Sequence, residues 1–149
     1  MALEYLHKHE LIYREFKPDY IMIGSDGHIK LEEFGLGKDR VEESSSSNNN
    51  LLNTQKTELF PEITNRKGLG RSADIYGLGA ILYEMISGTQ PFYAEKTSEL
   101  YNNKTQKNLM FPGYFSEDLK NLLKELLSKD PKKRIGLSDK SEIMKLPFF

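Results

Sequence analysis

The residue types that most often do chemistry are sparse here, and their spacing excludes several reactions. No cysteine occurs in the 149 residues, which rules out disulfides, thiol catalysis and cysteine-ligated zinc. The 3 histidines, His7, His9 and His28, have no carboxylate cluster at ligand spacing and do not read as a metal site. Gly35-Leu36-Gly37 starts a G-x-G-x-x-G phosphate-loop pattern, but Arg40 stands at the last glycine position. Asn103-Lys104-Thr105 has the form of a glycosylation acceptor, and Lys132-Lys133-Arg134 that of a basic targeting run. Ser44 to Ser47, Thr54 and Thr57 offer hydroxyls for phosphorylation.

The elements that position these residues are mostly helical. Residues 2–9 read as the end of a helix, with Leu3 and Leu6 on one face. Ile21-Met22-Ile23 and His28-Ile29-Lys30-Leu31 read as short strands around a Gly24-Ser25-Asp26-Gly27 hairpin turn. Residues 39–57 hold a serine and asparagine run that cannot offset its ordering entropy by burial, so a mobile loop is expected. Ser72 is placed to cap a helix running to Ser87, with Gly88 at its stop. Its apolar face takes Ile75, Leu78, Ile81, Leu82, Met85 and Ile86, widened by Tyr76, Ala80 and Tyr83, as in a central buried helix. Ser116 caps another helix, with Glu117 and Asp118 in its first turn and Leu119, Leu122, Leu123, Leu126 and Leu127 as its stripe. A last short helix is expected near 139–145. Hydrophobic residues at 38% and charged residues at 29% are ordinary for one globular domain. A net charge of -1 supplies no bulk field for nucleic acid or an anionic membrane. No apolar run approaches the roughly 20 residues that span a bilayer, and the first residues carry no signal-peptide pattern. An intracellular, cytoplasmic protein is expected.

Several segments together resemble the protein kinase family. Tyr13-Arg14-Glu15-Phe16-Lys17-Pro18-Asp19-Tyr20 resembles the catalytic loop His-Arg-Asp-Leu-Lys-Pro-Glu-Asn. Glu33-Phe34-Gly35 resembles the metal-binding Asp-Phe-Gly, and Phe60-Pro61-Glu62 resembles Ala-Pro-Glu. Arg71-Ser72-Ala73-Asp74-Ile75-Tyr76-Gly77-Leu78-Gly79 is similar to the start of the central kinase helix. Gly88-Thr89-Gln90-Pro91-Phe92 and Asp130-Pro131-Lys132-Lys133-Arg134 match later landmarks in the same order. Ser25-Asp26-Gly27-His28-Ile29-Lys30-Leu31 and Pro147-Phe148-Phe149 favour the AGC serine/threonine group. The resemblance covers essentially residues 1–149. It implies a partial kinase domain, a C-terminal lobe that is mainly α with a small β-hairpin near its start, without the ATP-binding N-terminal lobe. In this frame 39–57 belongs to the activation segment, and Arg134 belongs to a landmark rather than a targeting signal.

What the resemblance implies for chemistry is mixed. ATP and magnesium belong to the family, and phosphoryl transfer depends on positioning and charge neutralisation. Glu15 stands at the catalytic Asp and Glu33 at a magnesium Asp, each one methylene longer than the family residue. Tyr20 stands at the magnesium Asn, where a phenol is a poor neutral ligand. Lys17 matches the lysine that steadies the transferring phosphate, and reads equally as a solvated loop lysine. Glu62 and Arg134 match a buried ion pair. Asp74 matches the acceptor of catalytic-loop backbone N–H groups, and otherwise reads as a first-turn helix acid. Arg14 matches the site that pairs with an activation-loop phosphate, or is a solvated arginine. Thr54-Gln55-Lys56-Thr57-Glu58-Leu59 departs from the Gly-Thr-Pro-Glu-Tyr-Leu of AGC kinases, which puts peptide docking in doubt. The expectation is a degenerate, pseudokinase-like module for protein partners, without cofactor as an isolated chain. The surface facing the missing lobe is expected to favour association and to leave the chain marginally stable. The other reading is a piece of an active serine/threonine kinase with its N-lobe encoded upstream.

Overall fold

A computed structural model describes residues 2–13, 16–32, 70–95 and 97–149. Helix α1 is Ala2–Lys8, followed by a 3-10 turn at Pro18–Tyr20. Strands β1, Ile21–Ile23, and β2, Ile29–Leu31, form an antiparallel hairpin. Then come α2, Arg71–Ser87, α3, Thr97–Gln106, α4, Glu117–Leu126, a second 3-10 turn at Pro131–Lys133, and α5, Ser141–Met144. The architecture is mainly helical with one small sheet, in agreement with the sequence reading. The segment 39–57 lies outside the described residues. No helix among the described residues is long and apolar enough to cross a membrane.

Each apolar cluster among the described residues includes side chains of α2. Ala73, Tyr76 and Tyr83 meet Phe115, Leu119, Leu123 and Leu127. Ile81 meets Leu6, Tyr13 and Phe16. Ile75 meets Leu122, Leu126 and Ile143. One helix thus contributes side chains to each of these clusters, which is why its sequence is apolar around most of its circumference. Gly77 lets the chain before the hairpin come close, since a Cβ there would sit 2.6 Å from the Phe16 ring. Gly88 ends the helix in the left-handed region at φ 77° and donates its N–H to Glu84 O at 2.8 Å.

Two expectations about α2 need correction. Ser72 is not the cap: the helix starts at Arg71 behind Gly70, and the Ser72 carbonyl accepts a bond from Arg134 Nη1 at 2.9 Å. Tertiary contact, rather than a local side-chain cap, shapes this end. Met85 and Ile86 are exposed, at 74% and 38%, because Tyr83 is the last buried position and the final turn runs past the core.

The other elements follow local rules. Ser116 Oγ accepts the Leu119 N–H at 3.2 Å and caps α4. The Lys120 ammonium bonds Glu117 at 2.7 Å and holds its carboxyl below the usual range. The stripe Leu119, Leu122, Leu123 and Leu126 is buried. The hairpin pairs Ile21 with Leu31, Met22 with Lys30 and Ile23 with Ile29. Asp26 Oδ1 accepts the His28 N–H at 3.1 Å within the turn. Helix α3 was not legible from periodicity, since TSELYNNKTQ has no apolar stripe. It is fastened by polar contact: Asn103 is buried and its Nδ2 donates to the carbonyls of Phe92 and Tyr93, at 3.5 and 3.4 Å. A buried, bonded Asn103 in a helix is not presented as a glycan acceptor.

Leu123 is fully buried between α2 and α4. Leu123→Ala is expected to lower unfolding stability by about 2–5 kcal/mol. Met85→Ala, at an exposed position, should stay within about 0.5 kcal/mol of the parent. Urea denaturation of the two variants checks this contrast.

Candidate functional site

The site is built around Tyr13 and Asp74. Asp74 lies in the first turn of α2 with no solvent exposure. Its Oδ2 accepts the Tyr13 backbone N–H at 2.8 Å and lies 2.6 Å from His7 Nε2. A side chain of α2 therefore holds both α1 and the chain leading toward the hairpin. His7 is buried, and its Nδ1 has no hydrogen-bond partner. The proton of the His7–Asp74 bond accordingly belongs on Nε2 when the imidazole is neutral.

Tyr13 carries the constraint onward. Its ring is buried and meets Phe16 edge-on, with centroids 4.9 Å apart. Its hydroxyl donates to Glu32 O at 2.8 Å and approaches Tyr20 O at 3.4 Å. The Glu32 N–H donates to Tyr20 O at 2.9 Å, closing the hairpin base. Tyr13, Phe16, Tyr20 and Glu32 are thus gathered at one place. Arg14, Glu15, Glu33 and Glu62 lie outside the described residues.

Of the sequence-derived candidates, Lys17, Tyr20, Asp74 and Arg134 are described. Lys17 precedes the 3-10 turn, whose Pro18 has φ preset by its ring. Tyr20 N donates to Lys17 O at 3.1 Å, and the two side chains lie together. Lys17 Nζ is 5.6 Å from the centroid of the Tyr20 ring. Such a cation–π pair contributes about 0.5–1 kcal/mol near the surface. Arg134 serves elsewhere. Only 2% exposed, it donates from Nε to Ser128 O at 2.8 Å and from Nη1 to Ser72 O at 2.9 Å. Its guanidinium stacks 4.9 Å from the Tyr76 ring centroid. It ties the Pro131–Lys133 turn to the start of α2.

Sequence reasoning missed His7 and the Tyr13 hydroxyl. The available signal was a histidine beside Leu6 on the apolar side of α1, where a polar group requires a buried partner.

Tyr20 does not fit magnesium. That ion asks for hard oxygen ligands in near-octahedral geometry at about 2.0–2.1 Å. A phenol is a poor ligand for such an ion, and the ring already faces an ammonium group.

Comparison with known proteins points one way. The family described as protein kinase domain matches residues 1–149. The chain is 38% identical over 156 positions to Protein kinase 3 of Dictyostelium discoideum, covering 99% of this chain and 17% of that protein. It is 38% identical over 156 positions to human RAC-beta serine/threonine-protein kinase, covering 99% of this chain and 31% of that one. Against human serine/threonine-protein kinase Sgk1 the figure is 39% over 138 positions, covering 93% and 32%. The chain therefore spans between 17% and 32% of the length of these relatives.

Removing the Asp74 carboxyl strands the Tyr13 N–H and the His7 Nε2 donor inside the protein. Asp74→Leu is expected to cost about 3–5 kcal/mol of unfolding stability. Asp19→Leu, on an exposed turn position, should cost less than about 0.5 kcal/mol. Hydrogen exchange at the Tyr13 amide should accelerate in the first variant and stay slow in the second.

Proposed function

Since the chain belongs to the protein kinase family, of the AGC serine/threonine type, we propose that it acts as a protein-interaction or regulatory module impaired in phosphoryl transfer. The observation that carries this reading is the Lys17 ammonium over the Tyr20 ring, at a position where the family has a metal-ligating asparagine. Protein kinases in general use ATP with magnesium, and their catalysis is positioning plus charge neutralisation. In this chain Tyr20 offers no good ligand. Glu15 and Glu33 are each one methylene longer than the aspartates of the family motif. A misplacement near ~1 Å can cost about a hundredfold in rate.

The scaffold supports the reading from the other side. Asp74 and Arg134 are buried and hydrogen-bonded, which supports reading them as scaffold positions beside an altered ligand position at Tyr20. Protein partners are the proposed ligands. Ile23 and Ile29 face each other across the hairpin and are exposed at 78% and 61%, which supports contact with a protein partner.

A second reading is transfer of phosphate from ATP to serine or threonine, with this chain as one part of a longer kinase. The carboxyls of Glu15 and Glu33, the lysine at 17 and the similarity to proteins named serine/threonine kinases favour it.

The two readings part on one assay. The natural full-length product is given magnesium-ATP and a serine/threonine peptide library. We expect no transfer above that of its Glu15→Ala variant. Turnover in the usual kinase range of about 1–100 per second, abolished by Glu15→Ala, would establish the second reading instead.

A further inference from the structure

The hairpin has an edge that the described residues leave open. The Gly24 N–H donates to His28 O at 2.8 Å, and the Glu32 N–H donates to Tyr20 O at 2.9 Å. Bonded and non-bonded pairs alternate along an antiparallel ladder. Met22 and Lys30 are therefore a bonded pair, while Ile23–Ile29 and Ile21–Leu31 are non-bonded pairs. The N–H and C=O groups of Ile29 and Leu31 consequently point away from β1, and no described residue bonds them. On β1 the Ile21 N–H is taken by Pro18 O, so β2 has the longer open edge. Such a row of edge groups is a template for another strand. Side chains decide which kind of strand. Ile23 and Ile29 are exposed on one face of the hairpin, beyond the point where Ile21 and Leu31 reach the core. Lys30 is exposed on the other face, and its ammonium forms no ion pair among the described residues.

We propose that the β2 edge takes up an extended segment of a partner protein, with apolar side chains opposite Ile29 and Leu31 and a carboxylate opposite Lys30. This deepens the proposed function and rests on its reading of protein partners as the ligands. Backbone bonds to Ile29 and Leu31 attach the segment, and the alternating side chains select it. An acidic residue across from Lys30 is favourable, and a basic one is unfavourable. A second copy of this chain is the poorer occupant. Two β2 edges paired antiparallel about a two-fold axis, with Ile29 opposite Leu31 of the other copy, set Lys30 against Lys30.

The test is a titration of the isotope-labelled natural full-length protein with two synthetic peptides, acetyl-Thr-Val-Glu-Val-Thr-amide and acetyl-Thr-Val-Lys-Val-Thr-amide, read by amide hydrogen exchange. At saturating glutamate peptide, exchange at the Ile29 and Leu31 amides should slow roughly tenfold or more. The Lys30 amide, already bonded to Met22, should not change. The glutamate peptide should bind several-fold more tightly than the lysine peptide. Lys30→Glu should reverse that order while keeping the melting temperature of the parent. Without peptide, exchange at Ile29 and Leu31 should be independent of protein concentration. Slowing as the concentration rises would assign the edge to a second copy and overturn the proposal. So would a bound peptide that leaves both amides exchanging as before, an order that Lys30→Glu does not reverse, or no binding at millimolar peptide. An active kinase whose Ile29 and Leu31 amides were protected by the glutamate peptide would sink the proposed impairment and leave this inference standing. An inactive one that ignored both peptides would do the reverse.

Discussion

The described structure depends on one buried side chain. Asp74, at the start of the central helix, has no access to water, and a buried carboxyl group is tolerated only when its oxygens are bonded. Its partners come from distant parts of the chain: His7 is 67 positions away and the Tyr13 amide 61. Satisfying Asp74 therefore docks α1 and the Tyr13 segment on α2 together. The Tyr13 hydroxyl then passes the constraint to Glu32 and the base of the hairpin. Arg134 does similar work at the far end, joining the Pro131–Lys133 turn to the Ser72 carbonyl. These polar anchors sit among apolar clusters that share α2. Burial supplies most of the cohesion, and the polar bonds fix which parts meet.

This division is compatible with the proposed change of chemistry on a kinase scaffold. The anchors face inward, and changing one strands its partners at a cost of a few kcal/mol. Tyr20 contributes its backbone to the hairpin base, which any residue there would do. Its side chain is only half-buried. A substitution at this position can remove a ligand without loosening the hairpin, so the family's fold and the proposed loss of its metal chemistry are compatible in one chain.

Legibility from sequence followed the range of the forces involved. The fourth helix could be read because its cap, Ser116, and its leucine stripe are local signals. The hairpin could be read because its turn carries glycines and Asp26 at the right places. Helix α3 could not, since its register is held by Asn103 reaching carbonyls of another segment. At the start of α2 the Ser72 hydroxyl looks like a local cap, whereas the contact that shapes this end comes from the distant Arg134. Lys17, Tyr20 and Asp74 could be singled out from their neighbours along the chain. The stacking of Lys17 on Tyr20 required three dimensions, as did the pairing of His7 with Asp74.

The proposed loss of metal ligation at Tyr20 can be tested directly. Anomalous scattering from crystals grown with manganese and ATP addresses this without reference to rate. No manganese peak is expected within bonding distance of the Tyr20 side chain, with Lys17 lying against the ring. A strong peak there, with Lys17 turned away, would contradict it.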